Sequence, residues 1–173
     1  INVWPGWAPI IMANNGMEPN DGSLFFKKYG FYVNLSIVDD PVKARDLFAS
    51  GHSHVLWGTL DMMALFAPAL VQDSRTVPII CQQVDWSDGG DGIVARGDIR
   101  TINDLRMKNG IKRKVVLAQN SPSHYFIMSL LLDAGVDPGQ VDFRWASDAA
   151  SAAKIFVQDS SFYAFVGWAP DIY

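Results

Sequence analysis

The sequence predicts an α/β protein with a mostly parallel sheet, arranged as two Rossmann-like lobes joined by a hinge. Three observations predict it. Short apolar runs alternate with helical patterns along the chain, the signature of strand–helix–strand organisation. The alternation breaks once, at the polar, glycine-rich run DWSDGGDG (residues 85–92), and then restarts. Of 173 residues, 49% are apolar and 18% charged, enough for a sizeable core. That balance excludes a disordered chain, a collagen-like repeat and a coiled coil. No apolar run approaches the ~20 residues that span a bilayer. Fourteen basic against eighteen acidic residues give a net charge of −4, which argues against a nucleic-acid backbone as partner.

The first lobe is predicted over residues 1–85. Residues 1–4 read as a strand cut by Pro5-Gly6, and residues 31–38 (FYVNLSIV) read as a second with alternating apolar positions. Between them, residues 23–29 form a short helix closed by Gly30. Asp40 caps the next helix, with Pro41 at its first position and Gly51 past its end. Residues 54–57 form a third strand, Thr59 caps a helix ending before Pro68, and residues 77–84 form a fourth strand.

Residues 86–92 are the predicted hinge and residues 93–173 the second lobe. Its elements are a strand from Ile93, a short helix at 103–105 and a strand at 115–118. A helix follows from Ser121-Pro122 to Gly135, then a strand at 141–145, a helix at 149–157 and a strand at 162–166. The basic stretch MKNGIKRK (107–114) reads as a solvated hairpin around Asn109-Gly110. By length alone, 173 residues suit one domain of about 150 or an incomplete pair of smaller lobes.

Ligands of parallel α/β sheets bind at the carboxyl ends of strands, where helix N-termini point in. Trp4, Trp7, Trp57, Trp86, Trp145 and Trp168 all lie at or just beyond predicted strand ends. They suit an aromatic-lined cleft between the lobes that stacks on an organic group or faces a cation. Helix starts at Thr59 and at Ser121 and Ser123 offer backbone N–H groups to an anion, while Asp61, Asp85, Asp148 and Asp171 line the same rim. A zwitterion or an amine-bearing ligand fits this mixture, and a sulfonate enters only through the family resemblance below. His124 is a further candidate donor to ligand. Catalytic signatures such as a Gly-x-Ser-x-Gly elbow or a phosphate loop are missing, so no enzyme and no cofactor is expected. The pair His52 and His54 lacks an evident third metal ligand. Cys81 reads as a buried small hydrophobe within a strand.

Three runs carry a family resemblance: IRTINDL (99–105), KVVLAQNSPSHYFIMSLLLDAGVDPGQVDF (114–143) and VGWAPDIY (166–173). Together with Trp57-Gly58-Thr59 they resemble the nitrate/sulfonate/taurine class of periplasmic substrate-binding proteins, the SsuA/THI5-like receptors of ABC transporters. VWPGWAPI and QQVDWSDGGDGIVAR are similar to members linked to OmpA-type domains. The resemblance implies the type 2 periplasmic-binding-protein fold and a small-molecule ligand passed to an ABC permease in the membrane. It implies a periplasmic or cell-envelope location. Carried over by position, the ligand contacts are Trp4, Trp7, Gly58, Thr59, Asp85, Trp86, Ser121, Ser123 and Trp168. His54 and Tyr163 stand where the family usually has Asp. The resemblance also implies a missing C-terminal segment that returns to the first lobe. An envelope-anchored sensory module, or a pyrimidine-forming enzyme of THI5 type, are the alternative readings; the latter carries a cysteine-rich signature that a chain with one Cys lacks.

Overall fold

The run Lys114-Val115-Val116-Leu117-Ala118 has no polar alternation because both of its faces are covered. In the computed structural model, which describes residues 1–173, it lies within strand β2 (Arg113–Ala118). The sheet has the order β1-β4-β2-β3, with β1 at Asp91–Ala95, β3 at Val141–Ala146 and β4 at Ala164–Trp168. β2 pairs in parallel with β3 and β4, whereas β1 runs antiparallel to β4. The sheet is therefore mixed, and its one antiparallel edge is not visible in the alternation of the sequence.

Helix α5 (Pro122–Asp133) and helix α6 (Ala149–Gln158) account for the two buried faces. Val115, Leu117, Val141, Ala164 and Val166 pack with Ile127 and Leu131 of α5. Val116 and Phe165 pack with Ala152 and Phe156 of α6. Successive residues of one strand thus enter opposite cores, as the period of two requires.

Local signals fix the helix ends here. Asp148 accepts from the Ser151 N–H at 2.7 Å and caps α6. α5 ends at Gly135 (φ 64), with Val136 N–H bonded to Leu131 O at 2.7 Å and Gly135 N–H to Leu132 O. This is a Schellman end, and the left-handed residue favours glycine. Asn109 and Gly110 both have positive φ (53 and 76), and Lys108 and Ile111 bond reciprocally; this is the hairpin that Asn-Gly predicts. Lys108, on the surface, and Arg113, whose side chain is largely buried, both bridge to Asp98.

The chain divides into two units, one made of Ile1–Gly58 and Phe66–Trp86, the other of Thr59–Leu65 and Ser87–Tyr173. The first unit departs most from expectation. It holds helices α1 (Ala8–Ala13), α2 (Leu24–Tyr29), α3 (Pro41–Ala49) and the C-terminal part of α4 (Leu60–Leu70), but no strand. Residues 1–4, 31–38, 54–57 and 77–84 are irregular. A strand exists only where a neighbour takes up its N–H and C=O groups. Alternation in one segment cannot supply that neighbour, and only scattered bonds such as Val38 N–H to Ile1 O and Leu35 N–H to Met17 O join these segments. Ile79 is accordingly 86% exposed. Cys81, expected inside a strand core, is exposed for the same reason.

Polar and aromatic contacts hold this unit instead. The fully buried Asn14 donates to Gly16 O and Val33 O and accepts from Ser23 Oγ at 2.9 Å. Ser23 in turn caps α2, which Gly30 closes with φ 75. Phe26 stacks on Tyr32 with ring centroids 4.4 Å apart. Asp40 caps α3 by accepting from Val42 and Lys43 N–H. Two details of α4 differ from the sequence reading. Pro68 does not end it; the helix runs on to Leu70, where few amides remain to be lost. The Thr59 hydroxyl has no hydrogen-bond partner, so it does not cap. No helix is long and apolar enough to cross a membrane.

Candidate functional site

Because β2, β3 and β4 run parallel, their carboxyl ends share one edge of the second unit. The antiparallel β1 enters at that edge, and Asp91 stands opposite Trp168. Ser123, in the first turn of α5, is wholly buried there, and its Oγ donates to Asp91 Oδ1 at 3.4 Å. That is long for a hydroxyl on a carboxylate. Burial pushes the Asp91 carboxyl above its ordinary range; the Ser123 bond opposes this, and the charge of Asp61 reinforces it. Thr59, two residues before Asp61, has a buried Oγ1 with no partner, an arrangement that costs on the order of 1–3 kcal/mol unless a donor or acceptor meets it.

The pH consequence follows in sign. A carboxyl raised in the folded state binds its proton more readily there than when unfolded, so stability falls as pH rises from the ordinary aspartate value of 3.8 through the raised one. Above that window the cost is fully present. Asp91→Asn is therefore expected to raise the melting temperature at pH 7 and to leave it nearly unchanged near pH 3. Melting curves of the two proteins at both pH values check this; a lower melting temperature for the variant at pH 7 would contradict it.

At the α5 N-terminus the amides of Ser121 and Ser123 have no backbone acceptor. Pro122 has no N–H, and the amides of His124 and Tyr125 are turned onto Ser121 O at 3.0 and 3.3 Å. The buried Ser121 hydroxyl donates back to Ala118 O at 2.7 Å rather than toward a ligand. His124 is held from two sides: its Nδ1 accepts from the Asn120 N–H at 3.3 Å, and its ring lies 4.8 Å from that of Trp145. Burial pushes its pKa down, favouring the neutral ring. The proton then resides on Nε2, which is the donor available to a ligand.

In the first unit, the 3-10 turn Pro5–Trp7 carries Trp4 and Trp7. Trp4 meets Trp57 edge-on, with centroids 5.1 Å apart and planes at 72°. Trp57 is 6% exposed and donates its indole N–H to Val38 O at 3.1 Å. It is a core residue and not the cleft wall that its place at a predicted strand end suggested. Trp7 donates to the buried Asn2 side chain. Asp85 lies directly against Gly6: a Cβ on Gly6 would come within 2.8 Å of the Asp85 Cγ. Its Oδ1 accepts from the Trp86 N–H at 2.7 Å. Trp86 itself is 79% exposed, and Gly58 is exposed beside Trp57. His52 is bonded to Ser50 through Nδ1 at 2.9 Å.

The sequence reading named every one of these residues except Asp91, which it passed over as part of a polar hinge. The signal available was its place immediately before the apolar run Ile93-Val94-Ala95.

No family model matches the sequence, and no curated protein matches it. Solved structures do. The periplasmic aliphatic sulphonate binding protein SsuA from Escherichia coli is similar at a TM-score of 0.54 and 19% identity, over 86% of this chain and 48% of that one. The alkanesulfonate-binding protein SsuA from Xanthomonas axonopodis pv. citri, bound to MOPS, is similar at a TM-score of 0.60 and 15% identity, over 85% and 47%. The chain has the SsuA-like fold. It spans about half the length of these two proteins, and both are binding proteins by description. At such identity the likeness establishes the fold, and the ligand has to be argued from the residues themselves.

Proposed function

We propose that this chain is the ligand-capturing part of an extracytoplasmic solute-binding receptor that takes up a small polar organic molecule and catalyses no reaction on it. The observation that carries the reading is the assembly, at the carboxyl edge of a sheet with the SsuA-like fold, of Asp91, buried Ser123, His124 Nε2–H and Trp168. These are groups that orient a ligand by hydrogen bonding and stacking, and the one hydroxyl–carboxylate contact among them, Ser123 to Asp91 at 3.4 Å, is long. Further proposed contacts are Trp4, Trp7, Gly58, Asp85 and Trp86 of the first unit and Thr59 of the second. In this reading an ABC permease accepts the ligand. The remaining half of such a receptor supplies partners for the segments of the first unit that lack a ladder.

Six tryptophans, four of them among the proposed contacts, make the test direct. Intrinsic fluorescence titrated with short-chain sulfonates, amines and zwitterions is expected to change saturably for at least one class. A flat response to all three from a chain that melts cooperatively would overturn the proposal.

A further inference from the structure

The charge of the candidate residues narrows the ligand. The ion pairs of the chain join Arg45 to Asp46, Arg75 to Asp73, Lys108 and Arg113 to Asp98, and Arg144 to Asp142. None reaches Asp61, Asp85 or Asp91, so these three carboxylates have no cation of the protein beside them. At Asp85, Oδ1 takes the Trp86 N–H, and Oδ2 has no hydrogen bond. The absence of a Cβ at Gly6 is what lets this carboxylate sit on the turn that presents two indoles. Trp7 has its N–H engaged with Asn2 and is half-buried, so what it can offer a ligand is the π face. Trp4, half-buried as well, is set by its edge-on contact with the core residue Trp57.

Indole faces together with a carboxylate bind cations: the ring quadrupole attracts positive charge and the carboxylate neutralises it. A sulfonate meets the opposite situation. It would face Asp85 with no Arg or Lys paired to that carboxylate to offset the repulsion.

We propose that the ligand carries an ammonium group, primary or quaternary, and that the corner formed by Trp4, Gly6, Trp7 and Asp85 receives it. This rests on the solute-receptor reading and specifies its ligand class.

The experiment titrates the purified chain, by calorimetry, with matched probes: butylammonium, butane-1-sulfonate and butan-1-ol, then choline against its uncharged isostere 3,3-dimethylbutan-1-ol. At least one ammonium probe is expected to bind about 10-fold or more tighter than its neutral counterpart, the scale of a desolvated cation–π contact. Asp85→Asn, which keeps the shape against Gly6 and an acceptor for the Trp86 N–H, is expected to lower that affinity by a similar factor without changing the melting temperature. Equal binding of charged and neutral probes, or an unchanged affinity in Asp85→Asn, overturns the ammonium assignment. Saturation by the sulfonate alone overturns it too but leaves the receptor reading standing. Failure of every probe, in the fluorescence panel as well, ends both.

Discussion

Replacing Leu117 by alanine is expected to destabilise the second unit by about 2–5 kcal/mol, the usual range for truncating a fully buried leucine. Leu117 has no exposed surface, and it lies in the strand that pairs on both sides, opposite Trp145 of β3 and Val166 of β4. Its side chain enters the core that Ile127 and Leu131 of α5 complete. None of these neighbours can close the resulting gap without breaking the ladder or shifting α5. Urea denaturation followed by far-ultraviolet circular dichroism measures the loss. A change below about 1 kcal/mol would mean that the core relaxes around the cavity and that β2 is not its centre.

The opposite error, adding one carbon, is expected to cost about 1–3 kcal/mol at Gly167. A Cβ there would lie 2.2 Å from Phe165 Cζ and 3.1 Å from Cε1, well inside contact distance. Residues 165 and 167 share a face of β4, so the Phe165 ring occupies the space that any side chain at 167 would need. That ring is itself 1% exposed and packed against Phe156 and Ala152, which leaves it nowhere to move. Gly167→Ala should therefore lower the urea midpoint, and adding Phe165→Leu should recover part of the loss. An alanine variant as stable as the parent would show that the ring has an alternative seat.

The sequence made the second unit legible because its signals are local. Asp148 and Gly135 mark helix ends by hydrogen bonds within a few residues, and Asn109-Gly110 makes its own turn. The unbroken apolar run of β2 announces burial on two faces. The first unit shows the limit. Its helices α2 and α3 were legible through Ser23, Gly30 and Asp40, whereas α1 was not; strand formation depends on a partner that no single segment encodes, and residues 31–38 and 77–84 form no ladder.

The site divides in the same way. Ser123 and His124 were readable as helix-start residues, whereas Trp4 and Trp7 were read as following a strand that does not form. Asp91 depends on the antiparallel return of β1 beside β4, and the inward turn of the Ser121 hydroxyl depends on where Ala118 O happens to lie. Trp57 was misjudged because position at a strand end does not distinguish a wall from a core, and its bond to Val38 O decides for the core.

The central claim is that these residues hold a small molecule and release it unchanged. Mass spectrometry of the solution recovered after the chain has been equilibrated with its tightest-binding probe, then denatured, tests that claim most directly. The account predicts recovery of the probe at its original mass and in a ratio near one per chain. A probe converted to a new mass, or one not retained above the level of unbound solution, would contradict it.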